Sequence, residues 1–397
     1  MFRYLLATIA IALLTIHTIA QVVDEKQQER FKTMSSNAEE KGLAEPFKGI
    51  TTDGHTEEGL FPITSTGVST APVMKAAIDF LNTLNVTQQK NTKFSVDDNE
   101  WRSWMNQHFY VRKGIGFYEM TEPQKKAAFD LMRASLSAEG LQLSKDIMKL
   151  NHTLGEINDN DFEQYGEWLY WITIMGEPSE TEPWGWQVDG HHLIINYFVL
   201  GDQVVMTPFF VGSEPVIAET GKYKGISILQ DEQNTGLKFF QSLDEKQKNT
   251  AVLEVSKTGS NNLTEAFKDN VVLDYAGVSA STFNEKQKEH LLSLIKLYVD
   301  NMDDGHAKVK MEEVKKHLDK THFAWIGGSD DDAVFYYRIH SPVILIEYDQ
   351  QRPVATTKLY GREPSRQHVH VVVRTPNGND YGKDLLRQHY KEHPHGN

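Results

Sequence analysis

The chain has 397 residues, a formal net charge of −14, 16 histidines and no cysteine. An acidic balance with no basic run excludes a nucleic-acid binder, which needs a cationic footprint, and disfavours adsorption to anionic membranes. Without thiols there is no cysteine catalysis and no thiolate metal site, so any metal must be held by nitrogen and oxygen; a chain this long builds a core without disulfides.

The first element is "MFRYLLATIAIALLTIHTIA". Arg3 precedes an apolar run from Leu5 to Ile16, and small side chains follow at Thr18 and Ala20. This pattern predicts a secretion signal over 1–20, cleaved after Ala20, and a secreted protein. The run is shorter than the ~20 residues a spanning helix needs, and no other run is long enough, so stable membrane insertion is not expected. Residues 21–70 read as a polar, mobile leader with a helix around 24–43. Residues 71–392 read as one domain, helical over about 71–165, and 393–397 as a flexible tail. Triplets at Asn85, Asn151 and Asn262 make candidate N-glycan sites in a secreted protein.

Helical spacing begins at "APVMKAAIDFLNTL". A weak internal repeat follows in "EMTEPQKKAAFDLMRASLS", "SLDEKQKNTAVL" and "STFNEKQKEHLLSLIKLYV". In each, a capping residue (Thr121, Asp244, Asn284) precedes a glutamate, then Gln-Lys and an amphipathic helix. The pattern is a scaffold, and its spacing is too uneven for a solenoid.

Strand patterns lie elsewhere. "GWQVDGHHLIINYFVLGDQVVMTPFFVG" reads as two strands around "GDQ"; "HFAWIGG", "AVFYYRIHSPVILIEYDQ" and "QHVHVVVRT" read as three more. Helices and strands come in blocks, which predicts an α+β fold with a mainly antiparallel sheet.

Alternation along "HVHVVVRT" puts His368, His370, Val372 and Arg374 on one face and Val369, Val371 and Val373 on the other. Two imidazoles on one strand face can give two nitrogens to one ion. Glu347, in a strand apolar on both faces, needs a cation: Arg338 or Arg374 in an ion pair, or a metal shared with histidines. In "DGHHLIINYFV", His191 and His192 point to opposite sides of a regular strand, so one is expected at the ion and the other behind it. Trp184 and Trp186 either line a pocket or pack in the core. There is no P-loop, dinucleotide fingerprint, H-E-x-x-H helix or G-x-S-x-G elbow.

"EPWGWQVDGHHLIINYFV…TPFFVGSEP" and "YYRIHSPVILIEYD…HVHVVVRTPNGNDYGKDLLRQHY", with "GIGFYEMTEPQKKAAFDLMRASLSAEG", resemble the family called domain of unknown function 3500, over roughly 75–392. The resemblance implies exported proteins with one shared domain and no assigned activity. It draws attention to Trp184, Trp186, Gly190, His191, His192, Arg338, Glu347, His370, Arg374, Asp380, Tyr381 and Gly382. Two positions depart from the family's form: Gln367 stands where an asparagine precedes the histidine pair, and Thr375 where a carboxylate follows the arginine.

The leading expectation is a secreted metal-dependent hydrolase. Its ligand candidates are His191, His192, Glu347, His368 and His370, and Arg338 and Arg374 orient an anionic or carbonyl group. Zinc suits such a set, with copper, iron and manganese as alternatives. A second reading is a binder of a small molecule, sugar or peptide through Trp184, Trp186, Arg338 and Arg374. A third is a satisfied buried polar network.

Overall fold

The computed structural model describes residues 26–394. The secretion signal expected over 1–20 lies outside the described residues. The helices are α1 (26–42), α2 (Ala71–Thr83), α3 (Val86–Thr92), α4 (Glu122–Ser135), α5 (Ala138–Ile157), α6 (Gln230–Gln241), α7 (Glu245–Ala251), α8 (Glu285–Val299), α9 (Asp304–Lys316), α10 (Thr357–Tyr360) and α11 (Lys383–Glu392). The strands are β1 (Lys93–Phe94), β2 (Ile115–Gly116), β3 (Tyr170–Met175), β4 (Trp184–Gly190), β5 (Leu193–Leu200), β6 (Gln203–Val205), β7 (Phe209–Ser213), β8 (Val252–Glu254), β9 (Val278–Ser279), β10 (His322–Gly327), β11 (Phe335–His340), β12 (Leu345–Gln350) and β13 (Val369–Arg374). The fold is α+β, built on one mostly antiparallel sheet.

The Gln-Lys helix starts are capping boxes, in which the cap residue and the glutamine satisfy each other's backbone N–H groups. Thr121 pairs with Gln124 at α4, Asp244 with Gln247 at α7, and Asn284 with Gln287 at α8. A fourth box, Asn85 with Gln88 at α3, was not anticipated. The boxes come in two matched pairs. Gln124 donates to Thr83 O and Gln88 Oε1; Gln287 donates to Ser242 O and Gln247 Oε1.

That match extends through the chain. The sheet order is β1-β3-β4-β5-β7-β13-β12-β11-β10-β8, with β2 added beside β3 and β9 beside β10. The order is palindromic about the β7–β13 pair. Lys93 lies beside Ile174 in a parallel pair, and Val252 lies beside Trp325 likewise. Trp186 stacks on Tyr197 and bonds Ser135 of α4; Tyr337 stacks on Tyr348 and bonds Tyr298 of α8. The chain is therefore a tandem duplication, whose halves meet along an approximate two-fold axis between β7 and β13. The weak sequence repeat was its visible trace.

Helices α2, α4 and α5 of the first half and α6, α8 and α9 of the second cover one sheet face, whereas α11 packs on the other. Val369, Val371, Val373, Ile346 and Tyr348 belong to that core, as alternation predicted for β13. Fully burying each such side chain is worth about 1.5–3 kcal/mol. The opposite face carries Arg338, Glu347, His370 and Arg374 among Ile194, Phe198, Phe210 and Val372. Its polar groups are met by irregular chain. Trp101 O accepts from Gln187, Asn106 O accepts from His192 N–H, and the Leu263 and Thr264 N–H groups reach Glu347.

Three expectations are corrected here. The first predicted strand and "AVFYYRIHSPVILIEYDQ" are each two strands, β4–β5 and β11–β12, joined by tight turns. The leader is not loose over its described part: α1 and the residues after it hydrogen-bond to the body. Asn151 is buried, with its amide donating to Gly166 O and accepting from His191, so it is no glycan site in the folded protein.

Candidate metal centre

The β4–β5 connection is the residue pair His191–His192, closed between Gly190 and Leu193. His192 takes a positive φ of 62°, which turns the chain back sharply. Its N–H donates to Asn106 O, and its carbonyl accepts from Gly212 N–H on β7. Gly212 is also the register partner of His370 on β13. A β-carbon on Gly212 would strike Val369 O and press on the His370 ring, so the bare backbone leaves room for imidazoles on both sides.

Three Nε2 atoms meet there. His370 Nε2 lies 3.1 Å from His192 Nε2 and 3.0 Å from His368 Nε2. All three donors fall within 4.8 Å of one another, and all three residues are buried. Two imidazole nitrogens held ~2.0–2.1 Å from one zinc, at angles between octahedral and tetrahedral, stand roughly 2.8–3.4 Å apart.

Hydrogen bonds fix the tautomers. His368 Nδ1 lies 2.7 Å from the Arg352 carbonyl, which only accepts. His370 Nδ1 lies 2.7 Å from Glu265 Oε1, an oxygen that also accepts from Asn262 and Gln351. Both Nδ1 atoms therefore carry the proton, and a neutral ring then presents a bare Nε2 lone pair. Burial, followed by neighbouring imidazoles, holds His192 and His370 well below the usual histidine range, so both are neutral near pH 7. Two bare lone pairs 3.0 Å apart repel unless a cation lies between them.

The other predicted residues lie apart from this group. His191 stacks behind His192 at 4.0 Å between ring centroids, with Nδ1 on Asn151 Oδ1 at 2.7 Å; it backs a candidate ligand and lies outside the group. Glu347 is bound by the Leu263 and Thr264 N–H groups, the Thr264 hydroxyl and the Tyr336 hydroxyl. It faces its cross-strand neighbour Arg338, not the histidines. Burial raises its carboxyl, and those bonds with Arg338 pull it back. Arg374 is fully buried and bonded to Asp269 and Asp380. Trp184 and Trp186 are core residues at 0% exposure, their indole N–H groups taken by Ser179 O and Ser135 Oγ. None of these four arginine and tryptophan side chains is placed to meet a ligand from solvent.

Glu265 escaped the sequence reading. It sits in irregular chain within "NNLTEAFKD", where no periodicity marks it, yet it orients His370.

A family described as protein of unknown function (DUF3500) matches residues 66–383. The chain belongs to this family. No curated protein and no solved structure matches it. Among the described residues of this DUF3500 protein, no helix is long and apolar enough to cross a membrane.

Proposed function

We propose that this protein is a secreted metalloprotein in which His192, His368 and His370 hold one divalent ion, zinc foremost, serving hydrolysis of an extracellular substrate. The observation that carries the reading is the convergence of three Nε2 atoms, two of them on rings, His368 and His370, whose tautomers are fixed by the Arg352 carbonyl and Glu265. Buried neutral imidazoles aimed at one point are costly unless that point is electropositive. Three histidines with no thiolate suit zinc and leave coordination positions open, where a bound ion makes water a nucleophile near neutral pH. Glu265 raises the basicity of His370 as carboxylates do behind zinc-bound histidines. Secretion is supported by the pattern of residues 1–20.

The test is elemental analysis of untagged protein purified without chelator, followed by melting with and without EDTA. One equivalent of metal and a lower melting temperature in EDTA are expected, since a ligand of the native state stabilises it. Copper, iron or manganese in place of zinc would revise the ion. No stoichiometric metal, and no stabilisation by any of the four, would remove the reading.

A further inference from the structure

Chain outside the family's matched region packs on the segments that flank the histidine centre. That region begins at residue 66, and α1 lies before it. One stripe of α1 faces the body. Phe31 packs on the rings of His108 and Phe109 at 5.9 Å each. Ser35 Oγ accepts from Val111 N–H, and Glu39 accepts from the Tyr110 hydroxyl at 2.7 Å. The far end of the helix is held by Arg102, whose guanidinium donates to Gly42 O and Glu45 O while Nε binds Asp269. Gly42 lies so close to Phe267 that a methyl group there would overlap the ring.

These contacts fall on the two irregular segments that support the ligands. Residues 102–111 include Asn106, whose carbonyl receives the His192 N–H, and His108, whose ring lies 5.6 Å from His191. Residues 265–269 include Glu265, the partner of His370, and Asp269, the partner of Arg102. A continuous line of rings runs from Phe31 through His108 and His191 to His192. With α1 docked, all three candidate ligands are at most 6% exposed. An ion cannot enter or leave such a site without displacement of one of its supports.

We propose that α1 is a latch on the histidine centre: docked, it locks the 102–111 and 265–269 segments and shuts the ion in; released, it opens the site to exchange. This rests on the metal reading for what is exchanged, but the latch itself concerns access to histidines. Most of the outer surface of α1 is exposed, and helices in proteins draw most of their stability from packing of the inner face. The latch is therefore held by the few contacts named above.

The experiment uses the full chain with Phe31→Ala and Ser35→Pro together, which removes the ring contact and breaks the helix. Lys32→Ala, on the exposed face, is the control. Amide exchange over 26–42 should become fast in the double variant; persistent protection would mean these contacts do not hold the helix and would overturn the proposal. Zinc loaded into the double variant should be withdrawn by excess chelator at least tenfold faster than from wild type or Lys32→Ala, with unchanged stoichiometry. In metal-free protein, diethylpyrocarbonate should modify His191, His192, His368 and His370 faster in the double variant. Faster modification without binding of zinc, copper, iron or manganese would uphold the latch and sink the metal reading. Unchanged modification and unchanged zinc release, with the helix undocked, would sink the latch and leave the metal reading standing.

Discussion

The two halves of the duplication share architecture and differ in chemistry. Across β4 and β5 of the first half, Gln187 donates to its neighbour Asn196 at 2.7 Å. At the matching place on β11 and β12, the neighbours are Arg338 and Glu347. The first half turns between these strands through His191–His192; the second turns through Pro342–Val343, closed by the Ser341 N–H bond to Ile344 O. β5 reaches β7 by way of 201–208, whereas β12 reaches β13 through the longer 351–368, which ends in His368. Positions that hold the sheet and helices together kept their roles in both halves. Positions on the polar face did not, and the candidate metal centre stands where they diverge.

The strongest way to break this contrast is to give the first half the second half's turn residue. His192→Val should abolish stoichiometric metal and any chelator effect on melting, while leaving the circular dichroism spectrum unchanged. Retained metal in that variant would mean His192 is not a ligand.

The amide pair and its charged counterpart can be exchanged next. Glu347→Gln alone removes a buried charge that Leu263, Thr264 and Tyr336 bind and that offsets nearby buried Arg338, and should cost roughly 3–5 kcal/mol. Arg338→Gln with Glu347→Asn copies the Gln187–Asn196 pair and should recover more than half of that loss in urea unfolding. A double variant as unstable as the single would show that the pairs are not equivalent.

Glu265→Gln keeps the shape behind His370 and weakens the ring as a donor. Metal affinity measured by competition should fall about 10–100-fold, with melting of the metal-free protein little changed.

Acid gives a smaller, graded effect. His192 and His370 are held below the ordinary histidine value in the native state, so below about pH 6.5 the unfolded chain binds more protons. Their contribution to stability is complete above that pH. As pH falls it is lost, at up to ~1.4 kcal/mol per unit for each histidine. Metal-free wild type should therefore lose stability between pH 6.5 and 5 more steeply than metal-free His192→Val. Equal slopes would place the acid sensitivity elsewhere.

The smallest effect tests the sameness of the halves. Asn85→Ala and Asp244→Ala remove equivalent caps, and each should cost ~1 kcal/mol. Costs that differ several-fold would mean the two helix starts bear unlike loads.

Much of the fold was legible because it rests on period and capping chemistry. The Val369, Val371, Val373 face and its His368, His370 reverse follow from alternation alone, and the α+β class from the grouping of elements. The duplication was harder to read because its halves conserve roles with different residues. Trp186 with Ser135 answers to Tyr337 with Tyr298, and no residue-by-residue comparison of those pairs looks like a repeat. The turn at His191–His192 was invisible because tight hairpins are signalled by glycine or asparagine, whereas here a histidine takes the positive φ. Glu347 was misassigned for another reason. A buried carboxylate was correctly expected to need partners, but backbone N–H groups from residues 263 and 264 supply them, and backbone has no sequence signature. The partners of Arg374 were hidden differently: Asp269 and Asp380 are side chains outside the strands, where no alternation marks them.

The β7–β13 seam has a consequence for how the site came to exist. In a symmetric pair of identical half-chains, any pocket drawing one group from one copy and two from the other must occur twice. Here His192 comes from the first half and His368 and His370 from the second, and among the described residues the group occurs once. Such a centre becomes singular only when both copies sit on one chain and accumulate substitutions independently. Once an ion is bound, it also works as a rivet across that seam. Neither half can then unfold without surrendering it, so occupancy should tie the halves more tightly into a single cooperative melting transition.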